Sequence, residues 1–223
     1  MDRAVAGVSG LVENDNLSIY RLRSVERKVS EVKEDAVSYG NEYIELLVKE
    51  LNSISSERIA EISAVLRHAQ LSNRRVYVFG NGGSAATASH MACDLGKNTR
   101  QPNRPRLKVI SLVDGLAALT AYANDEGYEN IFSEQLLSLA EAGDVAIAIS
   151  GSGSSPNILK GVQTARQMGL KTIGLTGFEG GQLAKMVDIC LVVASDSMER
   201  IEDIHLVVDH ILTGLLRNAS SSD

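Results

Sequence analysis

The sequence predicts an α/β fold, a doubly wound five-stranded parallel sheet behind an N-terminal helical extension. Three observations carry that expectation. From residue 71 onward, five short runs of β-branched and apolar residues alternate with helix-patterned stretches. Each run is nearly all apolar, as parallel strands covered on both faces must be. Most of the intervening stretches reach the ten or so residues that a right-handed crossover between parallel strands requires.

Residues 1–16 are small, polar and aperiodic, and residues 219–223 are similar, so both ends are expected to fray. Residues 17–70 form a helical region in which Tyr43, Ile44, Leu47, Leu51 and Ile54 recur at spacings of three and four, one apolar stripe suited to oligomerisation. Ser72 and Asn73 break the pattern, and the α/β domain occupies residues 71–218. Its strand runs are residues 76–79, 107–112, 145–149, 172–175 and 189–193.

Composition narrows the function. The chain has 223 residues, 44% of them hydrophobic, which suffices for one large domain with an extension. Twenty-two basic residues against 28 acidic give a net charge of −6, which argues against a nucleic-acid groove or an anionic membrane surface. Aromatic residues are only 4% and Trp is absent, so stacking platforms for bases or sugar rings are not expected. Two cysteines, Cys93 and Cys190, make no disulfide framework, and both read as buried small residues. No apolar run approaches the roughly 18 residues of a membrane span, and the N-terminus lacks a basic stretch followed by an apolar one. The expectation is a cytoplasmic protein without nucleic-acid or membrane partners.

In doubly wound sheets, ligands bind at the carboxyl ends of the strands. Two unusual loops lie there. After the first strand, Gly80-Asn81-Gly82-Gly83-Ser84-Ala85 offers a tight turn, close backbone approach and a helix N-terminus. Ala85 occupies the third glycine position of a dinucleotide fingerprint, and no Lys-Ser/Thr pair follows, so neither that motif nor a P-loop fits. After the third strand, Ser150-Gly151-Ser152-Gly153-Ser154-Ser155-Pro156 combines hydroxyls, glycines and a helix start, with Ser155 at the N-cap and Pro156 at the first helical position. Such a loop cradles a phosphate without a basic residue. His90 and Asp94, four apart, share a helix face and are competent metal ligands as well as an ordinary hydrogen-bonded pair. In the last helix Glu202 is about 60° from His205 and about 80° from His210, so periodicity leaves open which histidine joins it. His68 reads as a solvated charge at a helix C-terminus.

Together these segments resemble the sugar isomerase (SIS) domain family and its phosphoheptose isomerase branch. The carriers are GNGGSAATASHMACDL at 80–95, YANDEGYENIF at 122–132, AISGSGSSPNILKG at 148–161, TGFEGG at 176–181 and ERIEDIHLVVDHIL at 199–212. The resemblance implies a flavodoxin-like three-layer sandwich and a cytoplasmic homotetramer. It implies conversion of sedoheptulose 7-phosphate to D-glycero-D-manno-heptose 7-phosphate through an enediol, assisted by one Zn2+ per subunit. It also implies that Ser150, Gly151, Ser152 and Ser155 hold the phosphate, while Asn81, Gly82, Gly83, Ser84 and Asp114 contact the sugar. His90, Asp94, Glu202 and His210 then correspond to the metal ligands, with Asp94, Glu202 and His210 as candidate proton-transfer groups.

Three departures stand out. Asp94 replaces a family Glu, shortening the side chain by one methylene. Glu202 replaces a family Gln, which adds a carboxylate and brings a zinc site formally to neutrality. Gly151 stands where many members have Thr. The same resemblance admits a non-catalytic SIS protein that associates with the replication initiator, or an isomerase of another seven- or eight-carbon sugar phosphate.

Overall fold

A computed structural model describes the backbone of residues 13–219 and the side chains of residues 32–219. Residues 1–12 of the expected flexible N-terminus and residues 220–223 of the tail lie outside the described residues. The chain divides into two units, residues 1–48 and residues 49–223.

The first unit consists, in its described part, of helix α1 (Glu13–Leu51), which runs on into the second unit. Of the apolar stripe on this helix, Ile44 is 60% exposed, and the neighbouring Val37 and Val48 are exposed as well.

The helical region expected over 17–70 is two helices. Helix α2 (Ser56–Leu71) starts afresh after a turn, with the Ser55 side chain accepting a hydrogen bond from the Arg58 amide. The apolar spacing of Leu47, Leu51 and Ile54 continues across this turn, so period alone does not reveal it. Helix α2 belongs to the larger unit.

That unit continues through β1 (Arg75–Gly80), α3 (Gly82–Lys97), β2 (Lys108–Ser111), α4 (Leu116–Asp125), a 3-10 turn at Tyr128–Asn130, and α5 (Ser133–Leu139). Then follow β3 (Val145–Ser150), α6 (Pro156–Gln167), β4 (Lys171–Gly177), α7 (Leu183–Met186), β5 (Ile189–Val193) and α8 (Met198–Asn218). The five strands pair in parallel in the order β2-β1-β3-β4-β5. This is the doubly wound sheet read from the sequence.

Alternation along the strands divides the core. Tyr77, Phe79, Ala146 and Ala148 face a cluster with Phe132 and Leu136 of the α5 region and Ile158 and Val162 of α6. The residues between them, Val76, Val78, Ile147 and Ile149, are as fully buried. Helix α8 packs against both α2 and α3, and α5 packs against α6. Gly161 of α6 lets Phe79 approach, since a β-carbon there would stand 3.0 Å from the ring.

The strand order reverses direction between β1 and β3. Chain leaving β1 turns toward α3 and chain leaving β3 turns toward α6, which opens a crevice between their carboxyl ends.

Candidate active site

Both unusual loops line this crevice. It is a cavity of about 230 Å³ bounded by Asn81, Gly83 and Ser84 of the first loop, Ser150 and Ser152 of the second, and Glu202 of α8. Gly82, Gly151 and Ser155 also line it. A larger groove of about 640 Å³ between α2 and α8 is mostly apolar, with Ala60, Ala64 and Leu215 in its walls beside Ser63, Arg67 and Asn218.

Reciprocal side-chain bonds tie the two loops. The Asn81 amide donates to Asn157 Oδ1 at 2.9 Å, the Asn157 amide donates back to Asn81 Oδ1 at 2.8 Å, and the Tyr128 hydroxyl donates to the same oxygen. Gly82 has φ +54°, a left-handed conformation that glycine adopts freely. A β-carbon on Gly83 would overlap the Glu202 carboxylate, so this glycine admits the carboxyl group to the N-terminus of α3. Burial raises the pKa of Glu202, and Glu199 and Asp203 add to the rise.

The serine loop is shaped by its glycines. Gly153, at φ +60°, turns the chain so tightly that a β-carbon would strike the Gly180 carbonyl, and Gly151 leaves room for the Met198 sulfur. Ser155 has the extended N-cap backbone and Pro156 follows at the first helical position, yet the Ser155 hydroxyl makes no capping bond. Ser152 is exposed, and its hydroxyl accepts only a long bond of 3.3 Å from the Ser154 amide.

Where α3 and α8 pack together, a second set of groups converges. His90 Nε2 lies 3.1 Å from His210 Nε2, 3.6 Å from Asp94 Oδ2 and 3.9 Å from Asp209 Oδ2, and His210 Nε2 lies 3.9 Å from Asp94 Oδ2. One donor atom from each of these four residues falls within 4.8 Å of all the others. Asn98 donates to the other oxygen of Asp94 at 2.9 Å, which turns Oδ2 toward the imidazoles. The Asp209 side chain is fully buried, and neither of its oxygens makes a hydrogen bond. Burial pushes its pKa up to about 7, with a further push from Asp94 and an opposing influence from the Thr213 hydroxyl. Two imidazoles and two carboxylates at such separations suit a divalent cation such as zinc.

Residues 39–177, spanning both loops and the strands beneath them, match the SIS domain. The chain belongs to the SIS domain family. This SIS protein is similar to the phosphoheptose isomerase of Geotalea daltonii, with 40% identity over 75% of this chain and 88% of that one. It is also similar to that of Sulfurimonas denitrificans, with 38% identity over 74% of this chain and 85% of that one. Among solved structures it resembles a phosphoheptose isomerase from Neisseria gonorrhoeae, with TM-score 0.77, 29% identity and coverage of 84% of this chain and all of that one. A phosphoheptose isomerase from Francisella tularensis aligns with TM-score 0.76, 31% identity and coverage of 83% and 98%.

Within this SIS fold, the residues expected from sequence fall into two groups. Asn81, Gly82, Gly83, Ser84, Ser150, Gly151, Ser152, Ser155 and Glu202 share the crevice. His90, Asp94 and His210 share the second cluster, which Glu202 does not join among the described residues. Asp114 is exposed after β2 and does not line the crevice. His205 is buried, its ring facing the Thr176 carbonyl at 3.2 Å, and serves the core. His68 is exposed in the last turn of α2. Cys93 is exposed rather than buried, because it sits between the inward positions Met91 and Leu95 on the outer side of α3. Cys190 is half-buried, because β5 is an edge strand with partly open faces.

The sequence reading missed Asp209. The available signal was its spacing, since Asp209 interrupts a stripe of His205, Leu212 and Leu216 that is otherwise the inward face of α8. A lone carboxylate at such a position requires a partner.

Proposed function

We propose that this SIS protein is a zinc-assisted phosphoheptose isomerase, converting sedoheptulose 7-phosphate to D-glycero-D-manno-heptose 7-phosphate. The observation that carries the reading is the convergence of a hydroxyl-rich phosphate cradle and a desolvated carboxylate, Glu202, in one crevice. The names of the similar isomerases support the reaction class and the substrate. We further propose a cytoplasmic homotetramer with one zinc ion per subunit.

Each group has a task in this reaction. Phosphate at the N-terminus of α6 takes hydrogen bonds from Ser152 and Ser155 and from backbone amides of the loop, which anchors the far end of the sugar. Asn81 and Ser84 contact the sugar chain from the opposite wall of the crevice. Glu202 takes the C1 proton of the ketose and returns it to C2, while the hydroxyl proton passes from O1 to O2, so that an enediol intervenes and the aldose is left. A carboxylate whose pKa is raised by burial is a stronger base in its ionised form. His90, Asp94 and His210 would hold the zinc, whose chemistry when bound is polarisation of the substrate's carbonyl and enediolate oxygens. That division assigns Asp94 and His210 to the metal and the proton to Glu202.

Incubation with sedoheptulose 7-phosphate, with and without a chelator, tests the proposal. The expected result is formation of an aldose 7-phosphate that chelation suppresses and zinc restores. Unchanged ketose under every condition would overturn it.

A further inference from the structure

We propose that Asp209 is the fourth ligand of the metal site and that Glu202 stays outside it, facing the sugar-phosphate crevice. The inference rests on the zinc reading above and names a ligand that the family resemblance does not assign.

Distances come first. Four ligands about 2.0–2.1 Å from a tetrahedral zinc are separated from one another by roughly 3.3 Å. The separations among His90, His210, Asp94 and Asp209 include 3.1, 3.6, 3.9 and 3.9 Å, so the donors stand close to that arrangement already. Asp94 reaches both imidazoles although it is a methylene shorter than Glu, and Asn98 fixes its orientation from outside.

Burial is the second, independent observation. Both Asp209 oxygens are buried without a hydrogen bond; the His90 imidazole lies 3.9 Å from Oδ2, and the neighbouring Thr213 hydroxyl closes no bond to either. A carboxylate in that position is strongly disfavoured unless a cation or a donor satisfies it. The exposed edges of His90 and His210 leave the cluster accessible from solvent, so an ion can enter.

Helix register excludes Glu202. Helices α3 and α8 pack side by side, and Glu202 meets Gly83 at the start of α3. Seven residues further along each helix, Asp209 meets His90. Two turns separate the levels by about 10.5 Å, more than one glutamate side chain spans. Glu202 and Asp209 therefore stand two turns apart on α8, Glu202 toward the crevice and Asp209 among the metal ligands.

Zinc competition titrations against a chromophoric chelator, with Co2+ spectra and thermal melts of apo and zinc-loaded protein, test the assignment on the full chain. Asp209→Asn and Asp209→Leu should each weaken zinc at least about 100-fold and disturb the tetrahedral Co2+ bands. Glu202→Gln should hold zinc within about threefold of wild type, since it touches no ligand. Without metal, Asp209→Leu should melt above wild type, because it removes a buried unpaired carboxylate, whereas zinc should raise the melting temperature of wild type and not of this variant. Loss of zinc from Glu202→Gln, with wild-type affinity in both Asp209 variants, would overturn the assignment. If His90→Ala loses zinc while both Asp209 variants keep it, the Asp209 assignment alone fails. If wild type binds no zinc, or His90→Ala binds as well as wild type, the zinc reading fails and this inference with it.

Discussion

Ser155 stands at the N-cap of α6 without capping it. Its hydroxyl is thus uncommitted, and Ser155→Ala should lower kcat/KM about 10- to 100-fold through a lost bond to a charged phosphate while leaving the melting temperature within about 1 °C. Steady-state kinetics beside a thermal melt separates the two effects; a large fall in melting temperature would restore a capping role. Glu202 gives a pH prediction. A base must be ionised, so kcat/KM should fall as pH drops through a pKa raised above the ordinary 4.5, and Glu202→Gln should lose about 10²–10⁴-fold in kcat together with that acidic limb. His205 gives another. Burial lowers its pKa to about 4 from 6.5, so the unfolded chain binds the proton first. Stability is then full above about pH 6.5 and declines as pH falls toward 4, by about 3 kcal/mol in all. Urea melts between pH 7 and 4.5 should show a shallower decline in His205→Leu. At this scale the sequence was informative where glycines and serines crowd into a short loop, or where a rare type, histidine, recurs at helical spacing. Glycines, serines and histidines marked both loops and the cluster, whereas Asp209 hid among charges common on any helix.

Helices α3 and α8 set the spacing between crevice and cluster, and Gly83 is where α3 makes room for the Glu202 side chain of α8. Gly83→Ala would drive a methyl group into the Glu202 carboxylate. It should lower kcat about 100-fold by displacing the base while the far-ultraviolet circular dichroism stays native. Activity equal to wild type would show that Glu202 need not lie against α3. Strands were the most legible elements. Parallel strands buried on both faces leave continuous apolar runs, and all five stand where those runs lie. The break between α1 and α2 was not legible, because the apolar spacing persists through it and the Ser55 cap is one serine among several in Ser53–Ser56. The end of α1 is held within the larger unit by Arg200, whose Nε lies 3.0 Å from both Glu50 oxygens while Nη2 reaches Asp196 at 2.7 Å. Glu50→Ala should lower the melting temperature by leaving a largely buried guanidinium short of a partner; an unchanged melt would place the anchor elsewhere.

Val37, Ile44 and Val48 are exposed on α1, an apolar surface of the kind that associates in water. Light scattering at micromolar concentration should report a tetramer, and charged replacements at Ile44 and Val48 should dissociate it; a wild-type monomer would refute that expectation. The sequence indicated such a stripe but not its partner, since association depends on surfaces that no single-chain periodicity encodes. None of the described helices is long and apolar enough to cross a membrane. Aldose–ketose isomerisation of a seven-carbon sugar phosphate is the activity proposed for this SIS protein. Proton NMR of sedoheptulose 7-phosphate incubated with the zinc-loaded protein in D2O tests it most directly. The predicted result is an aldose 7-phosphate bearing solvent deuterium at C2; a ketose that stays unconverted and unlabelled at C1, even with enzyme at substrate concentration, would contradict it.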